Sequence, residues 1–384
     1  MSDNINIKRI LLTGGGSGGH VYPLIAVAQV LRRISDEQKS ILELRYLGPE
    51  DAYTPLLASA RVKTGYVPAG KIRRYLSPLT LLDIPKIFFG FIVALWKVYW
   101  FMPEVIFSKG GTGAFPVVLA GWFYRIPIII HESDAKPGLN NLLSAFFASR
   151  IAVSFEAALK YFNAKKVAWI GTPVREELLL ERPSQAETKE NFGFDPKEPL
   201  TLILGGSMGS ERINKFVFTN LPGIIKETQV LHQVGQANIK EAESLSRAAL
   251  VGLPVATAAK TRYKAVPYFT DDVKLALSAA DLVVSRAGSG TIFEVAAFGK
   301  PAILIPLKEA ANDHQKANAY AFAESGGAVV IEEQNLLSGI FIAQMKSVLA
   351  NTEKMKKMSL ASQKFFKPQA AEIIAQELMK LSIQ

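Results

Sequence analysis

The sequence predicts an α/β protein built from two doubly wound halves. Three observations predict it. Short apolar runs of the buried parallel-strand type break repeatedly into glycine-rich turns, as where Arg9-Ile10-Leu11-Leu12 meets Thr13-Gly14-Gly15-Gly16-Ser17-Gly18-Gly19-His20. Each turn leads into a segment with apolar residues at helical spacing. The order strand, glycine turn with a serine, helix then returns at Leu200–Leu204 and Gly205-Gly206-Ser207-Met208-Gly209-Ser210. A repeat of that kind predicts two Rossmann-like sheets facing one cleft, not one long sheet.

Composition fits this reading. The chain has 384 residues, 49% of them hydrophobic, a length suited to two domains and possessing enough apolar mass for two cores. It has no cysteine, which excludes disulfides and thiolate metal sites. The opening MSDNINIKR lacks an apolar signal-peptide core and is expected to run straight into a strand. A net charge of +10 favours an anionic partner: nucleic acid, an acidic membrane surface or a phosphorylated substrate. No nucleic-acid-binding signature accompanies the charge, so no nucleic acid partner is expected.

In chain order, the first glycine turn precedes a helix expected from about Tyr22 or Pro23, with Leu24, Val27, Ala28 and Leu31 on one face. Gly14, Gly16 and Gly19 match GxGxxG, a weak signal alone, whose physical content is backbone N–H groups and a helix N-terminus offered to oxygen atoms. Strands follow at Leu42–Leu47 and Val105–Phe107. Between them Lys71 to Met102 is apolar and basic, with an uncharged run from Ile87 to Trp96. That run is too short for a bilayer span of about 20 residues. It reads either as a core helix or as one with an apolar face that seats on a membrane, Arg73, Arg74, Lys86 and Lys97 meeting anionic headgroups. Ser108-Lys109-Gly110-Gly111-Thr112-Gly113 is a second glycine turn. Pro127–Ile130 is a strand delivering His131-Glu132-Ser133-Asp134, and a helix is expected at Leu142–Phe147. Four polar residues at a strand end read as a site, or as groups that only bond nearby backbone. Strands at Ile151–Ser154 and Val167–Ile170 close this half. A charged, proline-bearing stretch from Gly171 to Pro199 marks the boundary.

The second half continues with strands at Val230–Gln233 and Tyr263–Phe269, and acidic residues at Thr270-Asp271-Asp272 that can open a helix. Its centre is Asp281–Asn318. Leu282-Val283-Val284 is a strand ending in the turn Ser285-Arg286-Ala287-Gly288-Ser289-Gly290. A short helix, the strand Ala302–Ile305, and a loop bearing Asp313-His314-Gln315 come next. Glu294 reads either as the partner of an N-cap Thr291 in a capping box or as a carboxylate for two ribose hydroxyls. Phe365 to Leu381 reads as an amphipathic helix.

Five segments in this order resemble one family, the UDP-N-acetylglucosamine transferases that complete lipid II in peptidoglycan synthesis, known as MurG. They are Gly15–Ala28, His131–Asn141, Gly171–Arg175, Gly205–Asn214, and SRAGSGTIFEVAAFGKPAILIP followed by NDHQKANA. The resemblance covers nearly the whole chain. It implies a GT-B fold: residues 1–174 as an acceptor- and membrane-side domain, completed by a crossing helix at 365–384, and residues 175–364 as the UDP-sugar donor domain. It implies that Glu294 binds ribose, that Ser207, Ser289, Gly290 and Thr291 meet the diphosphate and sugar, and that the Phe269-Thr270 backbone reads uracil. Arg175 lies nearby at the hinge, Asn214 matches a polar position of the same loop–helix, and His314 and Gln315 touch the sugar hydroxyls. Ser17, His20, Glu132 and Asn141 match acceptor-side and catalytic positions, with Ser17, Gly18 and Asn141 counted also among the donor contacts. The sequence departs from the family pattern at Ser17, Thr112, Asp134 and Met208.

The implied reaction is an inverting transfer of GlcNAc to the 4-hydroxyl of the muramoyl sugar of lipid I, at the cytoplasmic face of the cell membrane. His20 and Glu132 are the catalytic candidates, His20 as base because imidazole titrates near working pH, at about 6.5. No Asp-x-Asp pair is present to chelate a metal beside a diphosphate, so neither metal nor cofactor is expected. Three rivals remain at this point. One is a nicotinamide-dependent oxidoreductase using Gly14, Gly16, Gly19 and Glu50; one is a non-catalytic nucleotide-sugar-binding subunit; one is a transferase for another polyprenyl or glycolipid acceptor.

Overall fold

The computed structural model describes residues 7–70, 78–111, 113–206, 209–250, 262–269 and 272–382. The chain forms two compact units, Met1–Glu176 with Lys367–Gln384, and Glu177–Phe366.

The first unit carries strands β1 (Ile7–Thr13), β2 (Ile41–Gly48), β3 (Lys63–Tyr66), β4 (Val105–Ser108), β5 (Ile128–Glu132), β6 (Arg150–Val153) and β7 (Val167–Trp169). All pair in parallel, in the order β3-β2-β1-β4-β5-β6-β7. Strand order reverses between β1 and β4, the switch point at which open α/β sheets bind ligands. Helices Gly18–Glu37 and Ala370–Leu381 pack together on one face, burying Leu24, Val27 and Leu31 with Ile374, Ala375 and Leu378. Ion pairs Arg33–Glu372 (2.6 Å) and Arg150–Glu377 (3.2 Å) flank the terminal helix. Helices Pro78–Phe101 and Ala114–Phe123 cover the other face.

The second unit carries β8 (Leu200–Leu204), β9 (Gln229–Gln233), β10 (Tyr263–Val266), β11 (Leu282–Ser285), β12 (Ala302–Leu304) and β13 (Ala328–Val330). They are also parallel, ordered β10-β9-β8-β11-β12-β13, with the switch between β8 and β11. Every residue of β8, β9 and β11 is buried, which is why β8 and β11 are mostly apolar and do not alternate, while β9 buries Gln229, His232 and Gln233 as well.

Several elements differ from the sequence reading. The first helix begins at Gly18, not Tyr22, so His20 sits in its first turn and Pro23 lies inside it. The helix after β5 spans Leu139–Ser144, earlier than Leu142–Phe147, because the chain turns helical directly after Gly138. β10 stops at Val266, since Pro267 has no N–H to continue the ladder. The uncharged run Ile87–Trp96 is the middle of a 24-residue helix, Pro78–Phe101. Ala94, Val98 and Phe101 face the core, while Phe88, Phe89, Ile92, Trp96 and Trp100 are exposed, so core packing and an open apolar face coexist on one helix. Gly90 allows the close approach: a Cβ there would lie 2.3 Å from the Pro68 carbonyl oxygen. Among the described residues no helix is long and apolar enough to cross a membrane.

Candidate active site

In the first unit, β1 and β4 end side by side at Thr13 and Ser108, and their glycine turns touch. A Cβ on Gly111, where φ is +82°, would lie 2.3 Å from the Gly15 carbonyl and 3.1 Å from His20 Nδ1. Only glycine fits that position. The half-buried His20 is held from its own turn by Ser17, whose Oγ is 2.9 Å from Nδ1. Gly18 is buried beneath them. The Gly16 N–H donates to Asp51 Oδ2 at 2.8 Å, so part of this turn's anion-binding capacity is met by the chain itself. That disfavours the dinucleotide reading of Gly14, Gly16 and Gly19.

Glu132 ends β5 and is buried. Its Oε1 accepts the Asp134 N–H (2.8 Å); its Oε2 accepts the Gly138 N–H (3.1 Å) and the Asn141 amide (2.9 Å). Burial pushes its carboxyl up to about 7, with the Asp134 charge adding to the rise and the Asp134 N–H, the Asn141 amide and the Lys109 charge opposing it. Lys109, wholly buried after β4, donates to Ser133 Oγ and is pushed down to about 8 by burial. His131 is driven well below its usual range by burial and then by the Lys109 charge. It is therefore neutral, with Nε2–H donating to the Gly171 carbonyl at 2.9 Å. The polar run 131–134 thus organises the loop that follows it. What the loop presents is Asn140 and Asn141. Asn140 donates to the Gly111 carbonyl (2.6 Å), Asn141 lies against Gly110, and the Oδ1 of each is buried with no protein donor among the described residues. Two unmatched acceptors beside a histidine suit a ligand that brings hydroxyl groups.

In the second unit, the turn after β11 runs into helix Ser289–Ala297. The N-cap is Gly288, with no side-chain cap, so Thr291 lies three residues inside the helix and the Thr291–Glu294 capping box does not form. The helix starts early because Gly288-Ser289-Gly290 offers no bulk to delay it. Gly288 and Gly290 both face open space, leaving first-turn N–H groups accessible to an anion. Ser289 is buried; Thr291 and the half-buried Glu294 follow on the same helix. His314 and Gln315 lie in the first turn of helix His314–Glu324, not in a loop. Gln315 Oε1 accepts the Leu307 N–H at 3.0 Å, and Asn318 donates to the Ala287 carbonyl, tying this helix to the β11 turn.

After β8, Asn214 donates to the Val234 carbonyl at 2.8 Å and so supports the turn from below. Phe269 is buried, and its N–H donates to Gln233 Oε1 at 3.2 Å. Ser207 and Thr270 lie outside the described residues, as do Arg73, Arg74, Thr112, Met208 and Asp271. Arg175 falls in the first unit, its guanidinium 4.4 Å above the Tyr22 ring.

Three residues not singled out by sequence are central here. Gln233 bridges the Gly206 carbonyl (2.8 Å) and the Phe269 N–H. Arg286 pairs with Glu333 (2.5 Å) and donates to Ser210 Oγ (2.9 Å), joining the β11 turn to the β8 turn. Lys109 fills the floor between the two turns of the first unit. A polar residue inside a buried strand or glycine turn was the available signal. Among the described residues no group of three or more metal-ligating side chains comes together.

Known proteins sharpen this picture. Residues 10–153 match the glycosyltransferase family 28 N-terminal domain, and residues 200–374 its C-terminal domain. The chain is 35% identical to UDP-N-acetylglucosamine--N-acetylmuramyl-(pentapeptide) pyrophosphoryl-undecaprenol N-acetylglucosamine transferase 2 of Bacillus cereus, over 91% of this chain and 94% of that one. It is 33% identical to the corresponding transferase of Clostridium tetani, over 90% and 91%. Among solved structures, Acinetobacter baumannii MurG superposes with a TM-score of 0.72 at 24% identity, covering 97% of this chain and 99% of that one, which supports the GT-B fold. The match runs through both units at a third identity, so the chain belongs to the MurG family of N-acetylglucosaminyltransferases, hexosyltransferases of glycosyltransferase family 28.

Proposed function

We infer that this chain transfers N-acetylglucosamine from UDP-GlcNAc to the 4-hydroxyl of the muramoyl sugar of lipid I, forming lipid II. The observation that carries this is the extent of the match, which includes both units and leaves almost none of either relative uncovered.

The geometry supports a division of labour. In the second unit, the uncapped N-terminus of helix Ser289–Ala297 meets the diphosphate through Gly290 and Thr291, and Glu294 accepts the ribose hydroxyls. Phe269 offers its carbonyl to uracil, and His314 and Gln315 border the sugar. In the first unit, Nε2 of His20 takes the proton as the acceptor oxygen attacks the anomeric carbon and UDP departs, inverting that centre. Ser17 orients the imidazole. Asn140 and Asn141 accept sugar hydroxyls, and Glu132 acts through Asn141 as a positioning residue. Backbone amides and helix dipoles offset the charge that develops on the leaving diphosphate, so the residues present require neither metal nor cofactor.

The exposed aromatic face of helix Pro78–Phe101 supports peripheral attachment to the cytoplasmic face of the membrane, where a polyprenyl-linked acceptor resides. Incubation of purified protein with labelled UDP-GlcNAc and lipid I, with and without chelator, tests the reading. Labelled lipid should form under both conditions. No product defeats the assignment; product lost only with chelator defeats its metal-free part.

A further inference from the structure

Lys109 is the first residue after β4 and is wholly buried. Its N–H donates to the Thr13 carbonyl at 2.8 Å, which pins it to the end of β1. Its side chain starts close under the first glycine turn, where a Cβ on Gly14 would lie 3.2 Å from Lys109 Cβ. It ends at the segment after β5, where Nζ donates to Ser133 Oγ. One side chain thus joins the two glycine turns to the residues that surround Glu132. A lysine taken out of water is costly unless opposite charges answer it. Here burial works against the ammonium, and Glu132 and then Asp134 work for it. Asp134 is also a position at which the chain departs from the family pattern. The unusual anion and the buried cation therefore occur together, on either side of Glu132.

An ionised carboxylate can only accept hydrogen bonds. Glu132 accepts three, from the Asp134 N–H, the Gly138 N–H and the Asn141 amide. The Asn141 nitrogen also donates to the His131 carbonyl at 3.2 Å, so both of its protons are used. Turning that amide over would set its oxygen against two acceptors. Its Oδ1 is therefore the atom left buried with no protein donor among the described residues. A protonated Glu132 would carry an O–H of its own and would no longer dictate which way Asn141 faces. The charges on Glu132 act in opposite senses: Asp134 favours its proton and Lys109 disfavours it. The other groups around it are neutral His131 on its own strand, Asn141 on helix Leu139–Ser144, and Ser154 after β6. His20 stands beyond Gly111 on the first glycine turn.

We propose that Lys109 is a positioning residue for transfer: its buried ammonium, set against Asp134, holds Glu132 as a pure acceptor, and Glu132 makes Asn141 show its carbonyl oxygen to a hydroxyl of the acceptor sugar. The proposal rests on the transferase reading and on the first unit as the acceptor side. It adds to them a cation and an anion that act only as a pair. Loss of the lysine alone leaves two carboxylates to share the loop, and loss of both restores the balance.

The test is steady-state kinetics of the full chain with UDP-GlcNAc and lipid I in detergent, across pH, on K109M, D134N and K109M/D134N. K109M should raise the KM for acceptor about tenfold, the effect of one misdirected hydrogen bond, and leave the KM for UDP-GlcNAc unchanged. K109M/D134N should recover to within about threefold of wild type. The acidic limb of kcat/KM for acceptor should move to higher pH in K109M and to lower pH in D134N. In an E132Q background neither substitution should move it. K109M with an unchanged KM for acceptor overturns the proposal, as does an equal loss for both substrates or a double variant that is not rescued. A limb that still moves in E132Q assigns the charge to His20 directly and overturns the route through Glu132. If K109M does not fold, the half-buried Asp134 still decides: an unmoved limb in D134N overturns the pair. Wild-type protein that forms no labelled lipid overturns the transferase reading itself, a result distinct from the others.

Discussion

Ser17 stands at the N-cap of helix Gly18–Glu37, yet its hydroxyl makes no capping bond and lies instead 2.9 Å from Nδ1 of His20. A serine in that position usually accepts an N–H from the helix's first turn and stabilises it by about 1 kcal/mol. Here the cap is forgone and the imidazole is oriented. With Nδ1 held by Ser17, the proposed proton transfer is assigned to Nε2.

His20→Ala should therefore lower kcat by roughly 10²- to 10⁴-fold, the range for loss of a general base, while UDP affinity stays the same. Ser17→Ala should lower kcat by about tenfold and barely move the melting temperature, because no cap is lost. Steady-state kinetics with calorimetric titration of UDP separate these effects. A Ser17→Ala protein that melts early but turns over normally assigns the hydroxyl to the helix alone.

Glu294 should serve the ribose, and ligand chemistry can isolate that role. Glu294→Gln should weaken UDP binding by roughly 10- to 100-fold, the span of charge-assisted hydrogen bonds. The same substitution should scarcely change binding of 2′,3′-dideoxy-UDP, which has no hydroxyls to lose. Equal losses for both ligands would place Glu294 in a structural role.

The strands were legible because a parallel strand covered on both faces is mostly apolar, as β8 and β11 are apart from Thr201 and Ser285. The edge strand β3, Lys-Thr-Gly-Tyr, was not, since one exposed row removes that pattern. Helix Ala114–Phe123 is too uniformly apolar to show a period. Helix starts moved toward the N-terminus at Gly18 and Ser289 because glycine turns enter helices without a side-chain cap to announce them. At the site, the residues that could touch ligand were visible as polar interruptions at strand ends. Their supports were not: Gln233, 36 residues from Phe269, and Arg286, 76 from Ser210, act across the sheet, and local spacing carries no trace of such partners.

Gln233 gives a prediction of its own. One side chain holds the Gly206 carbonyl and the Phe269 N–H together, and so couples the β8 turn to the proposed base-binding segment. Gln233→Leu leaves both groups without that partner. UDP affinity should fall about tenfold, and the protein should lose roughly 1–3 kcal/mol of stability, the cost of stranding buried polar groups. Chemical denaturation and UDP titration read the two quantities on one sample.

Glu132 has a pH signature. Its folded-state pKa, raised to about 7, stands above the ordinary value of 4.5, so the folded chain binds this proton more tightly than the unfolded chain. Its contribution to stability is fully present below pH 4.5 and is lost as pH rises through about 7. The slope for one group cannot exceed about 1.4 kcal/mol per pH unit. Glu132→Gln should flatten stability against pH in that window. It should also lower stability at every pH, because an amide nitrogen would face at least one of the three N–H donors that now converge on the carboxylate.

The exposed aromatic face gives the last prediction. Phe88 and Phe89, in the middle of helix Pro78–Phe101, are 65% and 59% exposed. Trp122 and Phe123, at the end of the helix packed beside it, are 56% and 59% exposed. Side chains so open contribute little to folding, and polar replacement should leave the melting temperature unchanged. Each should contribute roughly 1 kcal/mol to partition onto a bilayer, about half of what full burial of such a ring provides. Phe88→Ser with Phe89→Ser should then reduce vesicle binding by about 30-fold on neutral and anionic lipid alike. That insensitivity to lipid charge marks the contribution as apolar burial and not as attraction between charges. Kinetics should divide in the same way: transfer to acceptor in detergent holds at the wild-type rate, and transfer to acceptor embedded in vesicles falls with the bound fraction.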